Sequence, residues 1–131
     1  MVDFIKAFKQ GQAASERVKN NNQEIDSVFK RLNEELATVT GGEVKLNIQF
    51  IPNKAFQGYN GVPDMSIGHY AICASNNELA EWEKARGGYP CKITIGNKQH
   101  YCEDKPDLEE TLASMLQDPI VAGILTYGHS T

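Results

Sequence analysis

The fold is decided by residues 4–36, FIKAFKQGQAASERVKNNNQEIDSVFKRLNEEL, near the start of the chain. Two series of positions spaced by seven run through this stretch, and each member of the second series lies four residues after a member of the first. The two series are 4, 11, 18, 25, 32 and 8, 15, 22, 29, 36. This spacing is typical of a helix that keeps one seam towards a partner. The stripe is longer than a domain of this size easily covers, so it predicts association.

The two halves of this stretch differ in their apolar content. The second half carries a broad apolar face, made of Ile25, Val28, Phe29, Leu32 and Leu36. The first half is thinner, with Phe4, Ile5 and Phe8 followed by small residues. Asn20, Asn21 and Asn22 lie between the halves, and asparagine is a poor helix former. The stretch is therefore either one helix of about 35 residues or two helices joined near the asparagines. We expect the second half to pack on a sheet and residues 1–22 to form a protruding helical arm.

The middle of the chain reads as a series of strands. Residues 44–50 alternate apolar and polar side chains, and residues 67–74 are apolar enough to be buried on nearly both faces. Residues 78–86 fit a strand or a short helix. The strand is favoured because Gly87, Gly88 and Pro90 follow closely. Residues 91–95 and 98–103 predict a hairpin around the two-residue loop Gly96-Asn97.

The last part of the chain reads as two helices. Asp107, with Glu110 three residues later, resembles a capping box, and Pro119 after Asp118 predicts a second start. The apolar residues at 120–125 predict a buried short helix that ends at Gly128. Strands flanked by helices indicate an α+β fold. We expect one domain over residues 1–131, with an antiparallel sheet of four to five strands between a long N-terminal helix and C-terminal helices.

Composition and charge argue against several classes of protein. The chain has 131 residues, a formal net charge of −4 and an ordinary apolar content of 40%. No apolar run approaches the ~20 residues of a membrane span, and the first residues do not resemble a secretory signal. An odd number of cysteines, three, fits a reducing cytoplasmic setting. Six acidic residues against one lysine in residues 103–131 argue against nucleic-acid binding.

The cysteines and histidines are the candidates for chemistry. The predicted hairpin places Cys91 opposite Cys102, with His100 on the same face. This arrangement permits a disulfide, a metal site, or two small buried apolar side chains, and we favour the last. The spacing matches no zinc pattern and offers no fourth ligand, so we predict no metal and no cofactor. Catalytic Cys–His pairs, Cys91 with His100 or Cys73 with His69, lack any recognisable nucleophile motif.

The candidate binding residues are aromatic: Phe4 and Phe8 in the arm, and Phe56 and Tyr59 in a glycine-rich loop. Aromatic rings in such positions supply large contact areas at low entropic cost. The arm also has basic residues, which allow weaker alternatives at a membrane surface or a nucleic acid. The sequence therefore predicts a small non-enzymatic accessory protein that acts through protein contacts and self-associates through the N-terminal helix. The alternative is a small enzyme or ligand-binding protein with a Cys/His site on the sheet.

Overall fold

A computed structural model describes residues 1–53 and 67–127 of the chain. In these residues the elements are α1 (Phe4–Thr40), β1 (Leu46–Pro52), β2 (Gly68–Ala74), β3 (Asn77–Ala85), β4 (Gly88–Ile95), β5 (Lys98–Cys102), α2 (Lys105–Gln117) and α3 (Pro119–Tyr127). The strands form one antiparallel sheet in the order β1-β2-β3-β4-β5. The predicted α+β architecture, with a long N-terminal helix and C-terminal helices, is confirmed.

Helix α1 is continuous across the three asparagines. Its N-cap is Asp3, whose Oδ1 accepts a hydrogen bond from the Lys6 backbone N–H at 3.1 Å. It ends at Gly41, which has a φ of 67°, a left-handed conformation in which glycine has no steric penalty. The single-helix alternative is therefore correct. Asn22 fits within the helix because its side chain donates to the Val18 carbonyl at 2.9 Å.

The predicted hairpin has the expected register. Cys91 pairs with Cys102, and Ile95 pairs with Lys98 on either side of the turn. Gly96 has a φ of 63°, as a two-residue hairpin turn requires at its first central position. Residues 78–86, for which the sequence allowed a strand or a short helix, belong almost entirely to strand β3. The hairpin register was predictable because the length of the turn fixes it.

Two burial predictions for the first strands were wrong in part. Strand β2 is buried only in its second half, Ala71–Ala74, whereas Tyr70 is exposed. In β1 the alternation holds for the buried Leu46, but Phe50 on the same face remains 37% exposed. The reason is coverage, because α1 reaches β1 at Leu46, where Asn33 is hydrogen-bonded, whereas Phe50 and Tyr70 stay exposed.

The core lies between the sheet and the three helices. The edge of the Phe29 ring meets the ring of Trp82 at a centroid distance of 5.4 Å, which holds α1 on β3. Asn33 fixes the other end of the contact, since its side chain donates to the Leu46 carbonyl at 2.9 Å and accepts from the Leu46 N–H at 2.8 Å. Helix α2 closes the core with Leu108, Leu112 and Met115.

The C-terminal helices depart from prediction at two points. Helix α2 begins within residues 104–107, as expected, but its N-cap is Asp104, which accepts from the Asp107 N–H at 3.0 Å, and not Asp107. Proline at position 106 fits the first turn, where no N–H is needed. Helix α3 begins where expected, with Asp118 Oδ1 accepting from the Ile120 N–H at 2.9 Å. Its predicted burial was too broad, since Val121 is buried but Ile120 is 75% exposed.

Candidate functional site

Among residues 1–53 and 67–127, the hydrogen bonds that join the arm, residues 1–22, to the rest of the molecule lie at its base. The Asn21 amide donates to the Gly87 carbonyl at 3.1 Å, and Lys84 Nζ donates to Asn22 Oδ1 at 2.6 Å. Gly88 lets the helix come close at this point, because a Cβ there would lie 2.8 Å from the Asn21 Cβ. In residues 1–53 and 67–127, no hydrogen bond joins residues 1–20 to the sheet.

The outer part of the arm exposes large apolar side chains. Phe4 is 79% exposed, Ile5 72% and Phe8 67%. Because Phe8 lies four residues after Phe4 and three after Ile5, the three side chains share one side of the helix. Soluble proteins seldom leave such a contiguous apolar patch uncovered unless it is an interaction site. Of the predicted binding residues, Phe4 and Phe8 thus lie together on one surface, and Phe56 and Tyr59 fall outside the described residues.

A second apolar surface lies on the uncovered corner of the sheet. Phe50 pairs with Tyr70, and Tyr70 pairs with Trp82, so the three rings lie in one row across the strands. The Phe50 and Tyr70 rings pack edge to face at 5.2 Å. Tyr70 is the most exposed of the three at 56%, Phe50 is 37% exposed, and Trp82 is buried against Phe29 of α1. We name Phe50 and Tyr70 the aromatic corner.

The base of the arm and the aromatic corner lie at the same end of the sheet. In the antiparallel order, the end of β1 at Pro52 lies beside the start of β2 at Gly68. The turn from β3 to β4, which holds the base of the arm through Gly87, is at this end as well. The arm and the aromatic corner, two groups of exposed apolar side chains, therefore both adjoin this end of the sheet.

The cysteines are unsuited to nucleophilic chemistry. Cys73, Cys91 and Cys102 are all free and buried. Burial, and then the neighbouring Cys102, raises the pKa of the Cys91 thiol to about 12. Burial also raises the pKa of Cys73 and Cys102 above its ordinary value. A thiol that keeps its proton is a poor nucleophile and a poor metal ligand, so the physical argument favours packing.

Their sulfur atoms have local partners that fit the packing interpretation. Cys91 Sγ lies 3.2 Å from the Gly88 carbonyl oxygen, and Cys102 Sγ lies 3.4 Å from Thr111 Oγ1. The second contact ties β5 to α2. Within the described residues, the sulfur contacts of Cys91 and Cys102 are thus to Gly88 and Thr111 and not to a histidine.

The outer face of the sheet holds a polar cluster that the sequence analysis missed. His69 Nε2 lies 3.0 Å from Glu78 Oε1, and one ligand atom from each of His69, Glu78 and Glu81 lies within 4.8 Å of the others. A cavity of about 340 Å³ beside it is lined by His69, Glu81 and Lys92, among others. All three members of the cluster are exposed, and an exposed group of this kind is commonly found without a metal ion.

Alternation along the strands could have placed His69 and Glu81 on the outer face. Their proximity could not be read from the sequence, because it depends on the pairing of Ala71 with Glu81 and on a register shift after Ile72. The aromatic corner could not be predicted from the sequence either, because its exposure depends on where α1 lies. Phe50 and Tyr70 look like core residues until the position of α1 is known.

Comparison with known proteins gives no further guide to this site, because no protein-family model, curated protein or solved structure matches the chain. Among the described residues, no helix is both long enough and apolar enough to cross a membrane. The functional argument therefore depends on the geometry of the arm and the sheet.

Proposed function

We propose that this protein is a non-enzymatic accessory protein that acts through protein–protein contacts and self-associates through its N-terminal arm. The observation that carries the proposal is the exposure of Phe4, Ile5 and Phe8 on one side of an ordered helix. The three free cysteines fit a reducing compartment, and we propose a cytoplasmic location.

Energetics supports a modest, reversible association. Burying one large apolar side chain stabilises a complex by roughly 1.5–3 kcal/mol, and a symmetric pair of arms offers six such side chains. Association itself costs about 4–15 kcal/mol in lost translational and rotational freedom. The two quantities are of similar size, so we expect an association that dilution reverses. Contact with a partner would also stabilise the helix of the arm, whose residues 4–13 are all exposed in the described structure.

Mass in solution tests the proposal. We expect light scattering or sedimentation to give more than the 14.5 kDa of one chain at micromolar concentration, falling towards 14.5 kDa on dilution. The double substitution Phe4→Glu/Phe8→Glu should leave a monomer with an unchanged unfolding transition, since neither side chain touches the sheet.

The matched control is Gln10→Glu/Ala13→Glu, which adds the same two charges to the other side of the helix. Both residues are exposed. The control should associate like the original protein. A mass of 14.5 kDa across a hundredfold range of concentration, or equal effects of the two double substitutions, would show that the arm is not a self-association surface.

A further inference from the structure

The arm has a seam in which large and small residues follow one another. With about 100° of rotation per residue, Phe4, Phe8, Gly11 and Ser15 fall within about 40° of one line along the helix. The large residues lie in the outer part of the seam and the small ones nearer the base. Lys6, Lys9 and Arg17 lie on the opposite side, away from the seam.

Gly11 has no packing neighbour among the described residues. Glycine is among the least favourable residues in the interior of a helix. Gly11 lies in the middle of the arm, and a Cβ built there meets nothing within 4 Å. In the described residues, neither a turn nor a contact requires glycine at this position. A close approach by another helix would favour it.

We infer that two copies of this chain pair through antiparallel arms, with Phe8 of each copy seated over Gly11 of the other. This inference rests on the proposed self-association and names its geometry. In an antiparallel register with Phe8 opposite Gly11, Phe4 comes opposite Ser15, so each large side chain meets a small one. A parallel pair would place phenylalanine against phenylalanine and glycine against glycine, which leaves gaps beside Gly11.

The residues that flank the seam fit a close antiparallel pair. The flanking positions are occupied by uncharged residues, Ile5, Ala7, Gln12 and Ala14, so no like charges oppose each other across the contact. The small alanines let the helix axes approach. Ile25, Val28 and Leu32 face the sheet from a side of α1 that is roughly 90° from the line through the arm's seam residues, Phe4 to Ser15. This leaves the seam of the arm open to a second copy.

Substituting Gly11 distinguishes this geometry from a general apolar contact, because the two predict opposite changes in dimer affinity. Gly11→Leu adds an apolar side chain and a better helix former, so a loose apolar contact would become tighter. In the inferred pair the leucine meets Phe8 of the second copy, and we expect dimer affinity to fall at least tenfold. Gln10→Leu, on the other side of the helix, is the matched control and should leave the affinity unchanged. Equal or tighter association of Gly11→Leu would overturn the inference.

Engineered cysteines determine the direction of the pair. In the antiparallel register, position 7 of one copy lies beside position 14 of the other. A mixture of Ala7→Cys and Ala14→Cys chains should therefore form a disulfide-linked dimer under mild oxidation, and neither variant should do so alone. Ser15→Cys lies in the seam and cross-links to itself only in a parallel pair. The three native thiols are buried, and the unsubstituted protein controls for their oxidation.

The outcomes separate the two proposals. A dimer in which Ser15→Cys cross-links alone, or in which the mixture fails to cross-link, contradicts the antiparallel geometry and leaves self-association standing. A protein that stays monomeric by mass contradicts both. A dimer that cross-links only in the mixture and is weakened by Gly11→Leu supports both.

Discussion

The two halves of α1 belong to one continuous helix but have opposite relations to the rest of the molecule. Ile25 in the second half is 3% exposed, whereas Ile5 in the first half is 72% exposed. The sheet supplies a partner for the second half and none for the first. The comparison teaches that a seven-residue pattern identifies a helix and a seam but does not say what covers that seam.

The largest expected difference between the two halves of α1 comes from the same substitution, isoleucine to alanine, made in each half. Ile25→Ala should lower the free energy of unfolding by about 2–5 kcal/mol, because it leaves a cavity between α1 and the sheet. Ile5→Ala should change it by less than about 0.5 kcal/mol in dilute solution. Chemical denaturation of both variants measures the difference. A large destabilisation by Ile5→Ala would mean that the arm packs on the rest of its own chain.

The next largest effect concerns the polar contact that fixes α1 on the sheet. Asn33→Ala removes two hydrogen bonds to the Leu46 backbone, of 2.9 and 2.8 Å. We expect a loss of about 1–3 kcal/mol in the free energy of unfolding, because a partly buried N–H and carbonyl lose their partner. Asn20→Ala, at an exposed position in the arm, is the control and should be neutral within about 0.5 kcal/mol. Equal effects of the two substitutions would show that the Asn33 hydrogen bonds do not hold α1 on the sheet.

The third effect depends on pH and should act on the packed part of the molecule. Folded Cys91 keeps its proton up to about pH 12, while an unfolded cysteine loses its proton above about pH 8.5. Between these values the unfolded state binds fewer protons, so stability falls as pH rises, by up to about 1.4 kcal/mol per pH unit.

Cys91→Ala removes this contribution and should show a shallower decline in stability between pH 9 and 11 than the original protein. Denaturation at several pH values measures the slope. An equally steep decline in the variant would show that Cys91 is not protected from ionisation in the folded state. The arm, which contains no cysteine, should keep its helical signal over the same range until the sheet unfolds.

Local features were predictable wherever a short stretch of chain carries its own constraint. The two-residue loop at Gly96-Asn97 fixes the pairing of Cys91 with Cys102, and Gly41 marks the end of α1. Burial was predicted less well for Phe50, Tyr70 and Ile120. Each is apolar and lies in a regular pattern, but whether it is covered depends on elements distant in sequence.

The amino-acid sequence by itself determined the α+β class, the order of most elements, the hairpin register and the apolar stripe of the arm, but it left open whether residues 4–36 form one helix or two. These follow from periodicity, turn chemistry and capping, which act over a few residues. Only the tertiary structure decided that α1 meets the sheet from Asn21 onwards, that the aromatic corner stays open, and that His69 comes close to Glu78. Such proximities depend on how the helices lie over the sheet and on strand register, and both are set by packing between residues far apart in the chain.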